Sequence, residues 1–348
     1  MKKVVKQVLG IDVAQKELVV CLATRHDDLS DGVYNHKIFV NSTDGFGKML
    51  KWIEKNTEST VPVIYVMEAT GVYHESLAYY LTNKQKPVSI VLPNKINSYA
   101  KTLTTKTVTD KTASEAIAQF GIDRQTDLWQ QPTPVYRKMK QLTREHDQLV
   151  FERTMAKNQL HAEKAEGISN QSSIARCNKR IKMLDEQIAE IRIELVALVK
   201  SEKNVANSVR LLCSVPGIGL LTASIILAET NGFDLIRNKR QLTSYAGLDV
   251  KEHISGTSVH GKPRISKRGN RFLRKAMHMP SLAATRHDER FKAIYHRLIS
   301  KHGIKMKAAV AVQRKMLEMT FTIFKSKTQY DKEYLKKTAA AEMLQTGA

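Results

Sequence analysis

Cysteine is nearly absent from this chain: three in 348 residues, Cys21, Cys177 and Cys213, far apart and odd in number. No disulfide framework and no zinc-type spacing can be built from them, which predicts a reducing, cytoplasmic setting. Only 8 prolines and 16 glycines are present, so neither a collagen-like nor a low-complexity chain is possible. No apolar stretch approaches the eighteen or more residues of a membrane span, and the basic start MKKVVKQVLGIDV turns into a strand pattern rather than a signal sequence. Acid is the other shortage. Against 56 Lys and Arg there are 34 Asp and Glu, a formal net charge of +22. A surplus of that size favours a polyanionic partner, because each neutralised phosphate releases condensed counterions.

The first part of the chain alternates strand and helix signals. Strands are predicted at Val4 to Val13, Glu17 to Ala23 and Lys37 to Asn41. A helix carries Phe46, Met49, Leu50 and Ile53 on one face. A β-branched strand follows at Val61 to Met67, then a helix from Glu75 to Leu81 and a strand from Val88 to Leu92. Three strands, a helix, a strand, a helix and a strand fit an α/β ribonuclease-H-like domain over 1–130. Beyond Pro132 and Pro134 the period changes. Ile174, Cys177, Ile181, Leu184, Ile188, Ile191, Leu195 and Leu198 recur at spacings of three and four. With a helix over roughly 135–166 and a turn at Gly167 to Ser173, this predicts an antiparallel helical hairpin, or a coiled coil that dimerises, over 131–204. A mainly helical domain should occupy 205–325, and the last residues, 326–348, read as a tail.

Three acids stand where chemistry could use them. Asp12 ends the first strand in LGIDV, Glu68 ends a strand in YVMEATG, and Asp110 opens a helix in VTDKTASEAIA. Two-metal phosphoryl transfer needs carboxylates from several elements converging on divalent ions, and hard oxygen ligands suit Mg2+ or Mn2+. Each acid also has a plainer reading as a turn former, and Asp110 as a helix N-cap.

In the last third, no Asp or Glu occurs between His253 and His287, yet Lys262, Arg264, Lys267, Arg268, Arg271, Arg274 and Lys275 fall within fourteen residues. A solvated helix face interleaves the two signs, so this one-sign run reads as a phosphate-contacting surface. Upstream, Val215-Pro216-Gly217-Ile218-Gly219 has the form of a helix-hairpin-helix turn, with Gly217 and Gly219 offering backbone N–H groups to a phosphate; a simple interhelical turn is the alternative. Ser255 lies just ahead of the basic run, whose cations could stabilise charge on an attacked phosphorus. Spacing alone does not rank it above Thr257, Ser258 or Ser266.

The ordered motifs GIDVAQKEL, EATGVY, TDKTASEAIAQF, SVPGIGLLTA, YAGL and SGTSVHGKPRISKRGNRFLRKAM resemble the IS110 family of transposases, bridge-RNA-guided recombinases related to Piv-type DNA invertases, over residues 7–325. The resemblance implies a RuvC-like domain with an acidic tetrad and a C-terminal domain whose serine becomes covalently linked to DNA. It assigns Asp12, Glu68 and Asp110 to the first three acids and Ser255 to the nucleophile. The fourth acid's position holds Ala113, which leaves either a three-acid site or Glu115 as the substitute ligand. It further implies double-stranded donor and target DNA, a noncoding bridge RNA that chooses them by pairing, and a homo-oligomer whose two domains build one composite site. Two other readings remain: a RuvC-like nuclease that cuts branched DNA with metal-activated water, and a non-enzymatic nucleic-acid-binding protein.

Overall fold

The computed structural model describes residues 2–32, 34–69, 71–103, 107, 109–252, 254–255, 259–261 and 263–334, with backbone alone at 254–255 and 259–260. They fall into two compact units, Met1–Gln131 and Pro132–Ala348.

The first unit is one five-stranded sheet with helices on both faces. Its strands are β1 (Val4–Val13), β2 (Glu17–His26), β3 (Asn35–Val40), β4 (Val63–Glu68) and β5 (Val88–Val91), in the order β3-β2-β1-β4-β5. β1, β2 and β3 pair antiparallel, while β4 and β5 run parallel to β1. Antiparallel neighbours early and crossover helices later are the ribonuclease-H-like arrangement that the sequence predicts. One face carries Leu9, Ile11, Leu18 and Val20 under α1 (Thr43–Asn56) and α2 (Glu75–Asn83), which contribute Phe46, Met49, Leu77 and Leu81. The other carries Val8, Cys21 and Val66 under α3 (Pro93–Ala100) and α4 (Asp110–Asp123), through Ile96, Ile117 and Ile122. Odd and even residues of β1 thus serve opposite cores, as strand alternation requires.

Helix α4 lies unusually close to the sheet because glycine makes room on both partners. A Cβ on Gly10 of β1 would meet the Ala118 backbone N at 2.3 Å and the Ser114 O at 2.4 Å. A Cβ on Gly121 of α4 would meet Val8 Cγ1 at 2.6 Å and Val66 Cγ2 at 2.9 Å. Backbone therefore packs on backbone at one end of α4, and glycine against valine at the other.

The second unit opens with two long antiparallel helices, α5 (Pro134–Ala165) and α6 (Gln171–Ser201). Polar pairs descend along α6 as they climb α5: Lys138 with Glu194, His146 with Arg192, Arg153 with Asp185, Gln159 with Arg180 and Glu163 with Ser173. Cys177, Leu184, Ile188, Ile191 and Leu195 of the expected seam are buried, and Val199 rather than Leu198 completes it. The hairpin, expected over 131–204, packs with the helices that follow it. Met139, Leu142, Ile191, Leu195 and Val199 belong to the same core as the helices that follow, so its base is built into the C-terminal region.

Those helices are α7 (Lys203–Cys213), α8 (Leu220–Thr230) and α9 (Lys239–Tyr245). Four two-residue strands follow, β6 (Val250–Lys251), β7 (Ile254–Ser255), β8 (Val259–His260) and β9 (Arg264–Ile265), then α10 (Arg271–Ala276), α11 (His278–His287), α12 (Glu289–His302) and α13 (Lys305–Ser326). β6 pairs with β9 and β7 with β8, both antiparallel. Among the described residues no helix is long and apolar enough to cross a membrane.

Candidate functional site

The three acids come together at the carboxyl ends of two neighbouring strands. The parallel ladder of β1 and β4 pairs Gly10 with Val66 and Ile11 with Met67. The next residues along are Asp12 and Glu68, on strands about 4.8 Å apart and, by alternation from Gly10 and Val66, on the face that α4 covers. Asp110 is the first residue of α4, and the cap is not its task. Thr109 caps the helix: its Oγ1 accepts from the Thr112 backbone N–H at 3.2 Å, and the Thr112 hydroxyl accepts from the Thr109 N–H at 2.8 Å. The N-cap reading of Asp110 is thereby set aside.

The electrostatics of Asp12 record this gathering. Burial pushes its carboxyl above the usual range, and the charges of Asp110 and then Glu68 push it further, against a stabilising bond from the Val13 backbone. Among the described residues no group of three or more His, Cys, Asp or Glu side chains is placed so that it could hold a metal ion. The donors are nonetheless of the right kind, hard oxygens from three separate elements.

Glu115 is not brought to this group. It pairs with His36 of β3, Oε1 to Nε2 at 2.8 Å, and adds to the burial that raises the Cys21 thiol to about 12. The reason is helical geometry: five residues on from Asp110 is roughly 140° round the helix, whereas Ala113 is only about 60° away. The position that could have joined the acids is the one without a carboxylate.

In the second unit the structure sorts the basic run. Ser255 lies in β7, its backbone paired with Val259 of β8. Its side chain lies outside the described residues, as do His253, Gly256, Thr257, Ser258 and Lys262. Ser266, a competing nucleophile, is engaged: its hydroxyl donates to Asp249 Oδ1 at 2.6 Å. Arg264 (in β9), Lys267, Arg268 and Arg271 are exposed. Arg274 is partly committed to the fold, donating from Nη1 to the Ala246 carbonyl at 2.8 Å. Gly247 (φ +67°) and Gly269 (φ +154°) let the YAGL turn and the basic loop meet, since a Cβ on Gly269 would lie 2.4 Å from the Tyr245 O.

The glycine turn divides in role. Gly217 (φ +87°) sits against α11, where a Cβ would lie 2.5 Å from the Pro280 O, so packing is reason enough for glycine there. Gly219 is the N-cap of α8 and has open space around it.

One residue escaped sequence reasoning altogether. Glu229 is 1% exposed and accepts from Arg144 twice, Nε at 2.8 Å and Nη2 at 3.0 Å. Asn270 Nδ2 donates to it at 2.6 Å, and the Tyr245 hydroxyl donates to its backbone carbonyl at 2.9 Å. This knot ties α5, α8, the YAGL turn and the start of α10 together, and so holds the basic loop in place. A lone acid in the apolar run LLTASIILAET was the available signal.

Comparison with known proteins finds two family domains along the chain, the first reaching past the first unit into α5. The DEDD transposase domain of IS110-type elements matches residues 9–163, and the domain described as "Transposase IS116/IS110/IS902 family" matches residues 209–296. The pilin gene-inverting protein of Moraxella bovis is 29% identical over 94% of this chain and 98% of its own length. The transposase of insertion sequence element IS1111A from Coxiella burnetii is 22% identical over 81% of this chain and 78% of its own. RuvC of T. thermophilus, solved with a Holliday junction, aligns with 35% of this chain and 99% of its own at 10% identity and a TM-score of 0.27; the fold assignment rests on the sheet order instead. The chain thus carries both domains of the IS110-type transposases, in order along its sequence.

Proposed function

We propose that this protein is a DNA recombinase of an insertion sequence, which cuts and rejoins DNA through a serine ester. The observation that carries the reading is the meeting of Asp12, Glu68 and Asp110 in a domain of the transposase type, each raising the cost of charge on Asp12. An aspartate raised by two neighbouring carboxylates suits a divalent cation, and Asp12, Glu68 and Asp110 would hold Mg2+ or Mn2+, which would neutralise charge on a scissile phosphate. Glu115, paired with His36, is left out of that set.

Ser255 is the proposed nucleophile. Its Oγ attacks the phosphorus as the 3′ oxygen leaves, so one P–O bond forms as one breaks and the 5′ side of the cut becomes a phosphoserine. A 3′ hydroxyl of the exchanging strand then attacks that ester and releases the serine. No external energy source is needed, because the bond energy is kept in the ester. Exposed Lys267, Arg268 and Arg271, with Lys262 and Arg264, would contact phosphates, and Gly219 at the open N-terminus of α8 could add a backbone N–H. The family resemblance supports a guiding noncoding RNA and assembly of several copies on donor and target DNA.

The test is covalent capture. Wild-type protein with its DNA and co-purified RNA should leave, after protease digestion, a Ser255 peptide on the 5′ side of the break, and Ser255→Ala should bind both nucleic acids without forming it. Free 5′ phosphates from wild type, with Ser255→Ala cutting normally, would establish the water-activating nuclease instead.

A further inference from the structure

We propose that the second unit holds an unpaired DNA strand in the groove between α5, α10 and the start of α13, with one base turned into a side pocket. The groove has a volume of 1310 Å³. Its basic wall is the second half of the one-sign run, Lys267, Arg271, Arg274 and Lys275. Two of these four are already occupied, Lys275 by Asp147 and Arg274 by the Ala246 carbonyl. Lys267 and Arg271 carry no ion pair among the described residues and remain to meet phosphates.

A groove for duplex DNA needs only such cations, since the base faces of a duplex are buried in its own stack. This groove offers more. Phe151 of α5 is 61% exposed, Met279 of α11 69% and Met306 of α13 59%, and all three line it. Large apolar side chains left in water beside phosphate-binding cations match a strand with free bases, whose flat faces stack on such groups while the backbone follows the charge. Phe272 adds a ring that Arg144 (4.5 Å) and Arg271 (4.9 Å) both approach, which holds the guanidinium of Arg271 at the groove wall.

The side pocket opens from the same place. It encloses 310 Å³, shares Phe272, Lys275 and Met279 with the groove, and is walled by Val150, Leu221 and Ile225. That is the lower end of the range for small-molecule sites, ample for a single base. Ile265 of β9 also lines the groove, and β9 pairs with β6, which ends four residues before Ser255. A strand lying here is close in the chain to the proposed nucleophile. The inference rests on the recombinase reading, because strand exchange obliges a DNA strand to leave its complement before it is rejoined, and that strand needs somewhere to lie.

The test is fluorescence anisotropy on the full-length protein. The probes are labelled oligodeoxythymidine, an abasic strand of equal length, a blunt duplex and oligouridine. Oligodeoxythymidine should bind more tightly than the abasic strand and than oligouridine. Phe151→Ala should weaken it about tenfold, the scale of removing one base stack, with the duplex unchanged, and Phe151→Tyr should restore it. Equal weakening of single strand and duplex, no effect of Phe151→Ala, or preference for oligouridine would each overturn the proposal. Phe151 is exposed, so its truncation leaves the fold intact, which a thermal melt of the variant checks. A Ser255 adduct that forms while Phe151→Ala binds normally sinks this inference alone. Selective binding without any adduct sinks the serine mechanism alone.

Discussion

Two sets of carboxylates in this molecule have opposite surroundings. Glu229 is almost wholly buried, yet Arg144 grips it with both ends of its fork and Asn270 donates a third hydrogen bond. Asp12 is only half-buried and faces Asp110 and Glu68, each of which makes its charge dearer to hold. A charge compensated on every side serves the fold. A charge gathered with others of its own sign destabilises the fold, and its place is explained by what it does for a ligand.

The contrast breaks most decisively at Asp12. Asp12→Asn should abolish recombination while the melting temperature stays level or rises slightly, since one of three repelling charges is removed. A variant that recombines normally, or that unfolds, would put Asp12 among the structural acids. Glu229→Ala should do the reverse, costing about 3–5 kcal/mol by stranding Arg144 and Asn270 without their acceptor; thermal or denaturant unfolding measures it, and a loss under about 1 kcal/mol, the scale of a surface pair, would mean the knot is slack.

On the basic side the comparison is sharpened by salt. Replacing Arg268 and Arg271 together by Gln should flatten the logarithmic salt dependence of DNA binding by about 0.9 for each phosphate that is no longer neutralised. Binding that is unchanged at low and at high salt would make both arginines a solvated face. The smallest effect belongs to Glu115→Gln. With its carboxylate facing His36 at 2.8 Å, the change should cost no more than about 1 kcal/mol and leave recombination running. Loss of recombination with normal stability would return Glu115 to the metal site.

Much of the first unit is legible in the sequence because its signals are local. β1 occupies the residues predicted for it, and β2 extends three residues further, to His26. The convergence of Asp12, Glu68 and Asp110 follows from strand ends and a helix start. Helix α3 escapes prediction because it buries only Ile96 and so shows no apolar period. How far the hairpin's packing extends is hidden for a different reason. A three-four seam says that a helix has a partner but not where its own core ends, and here Met139 and Leu195 share theirs with the α8 residues Ile226 and Leu227. Glu229 shows in the sequence only as a lone acid in an apolar run, because the partners that give it a role lie 85 and 41 positions away in the chain. The ribbon around Ser255 gives no strand signal either, since strands of two residues are too short to show alternation.

The seating of α4 also bears on how such a chain can change over generations. Gly10 sits beneath the helix and Gly121 within it, so both its height above the sheet and its position along β1 are fixed by side chains that do not exist. The carboxylate of Asp110 inherits its location from those two gaps. An ancestor that lost either glycine would have lifted or slid the helix, and Asp110 with it, although all three acids remained. Chains descended from the same origin should therefore keep a small residue two places before the first aspartate and another eleven places after the acid that opens α4, and a copy in which these have grown bulky is a candidate for a dead element whose acids still look sound.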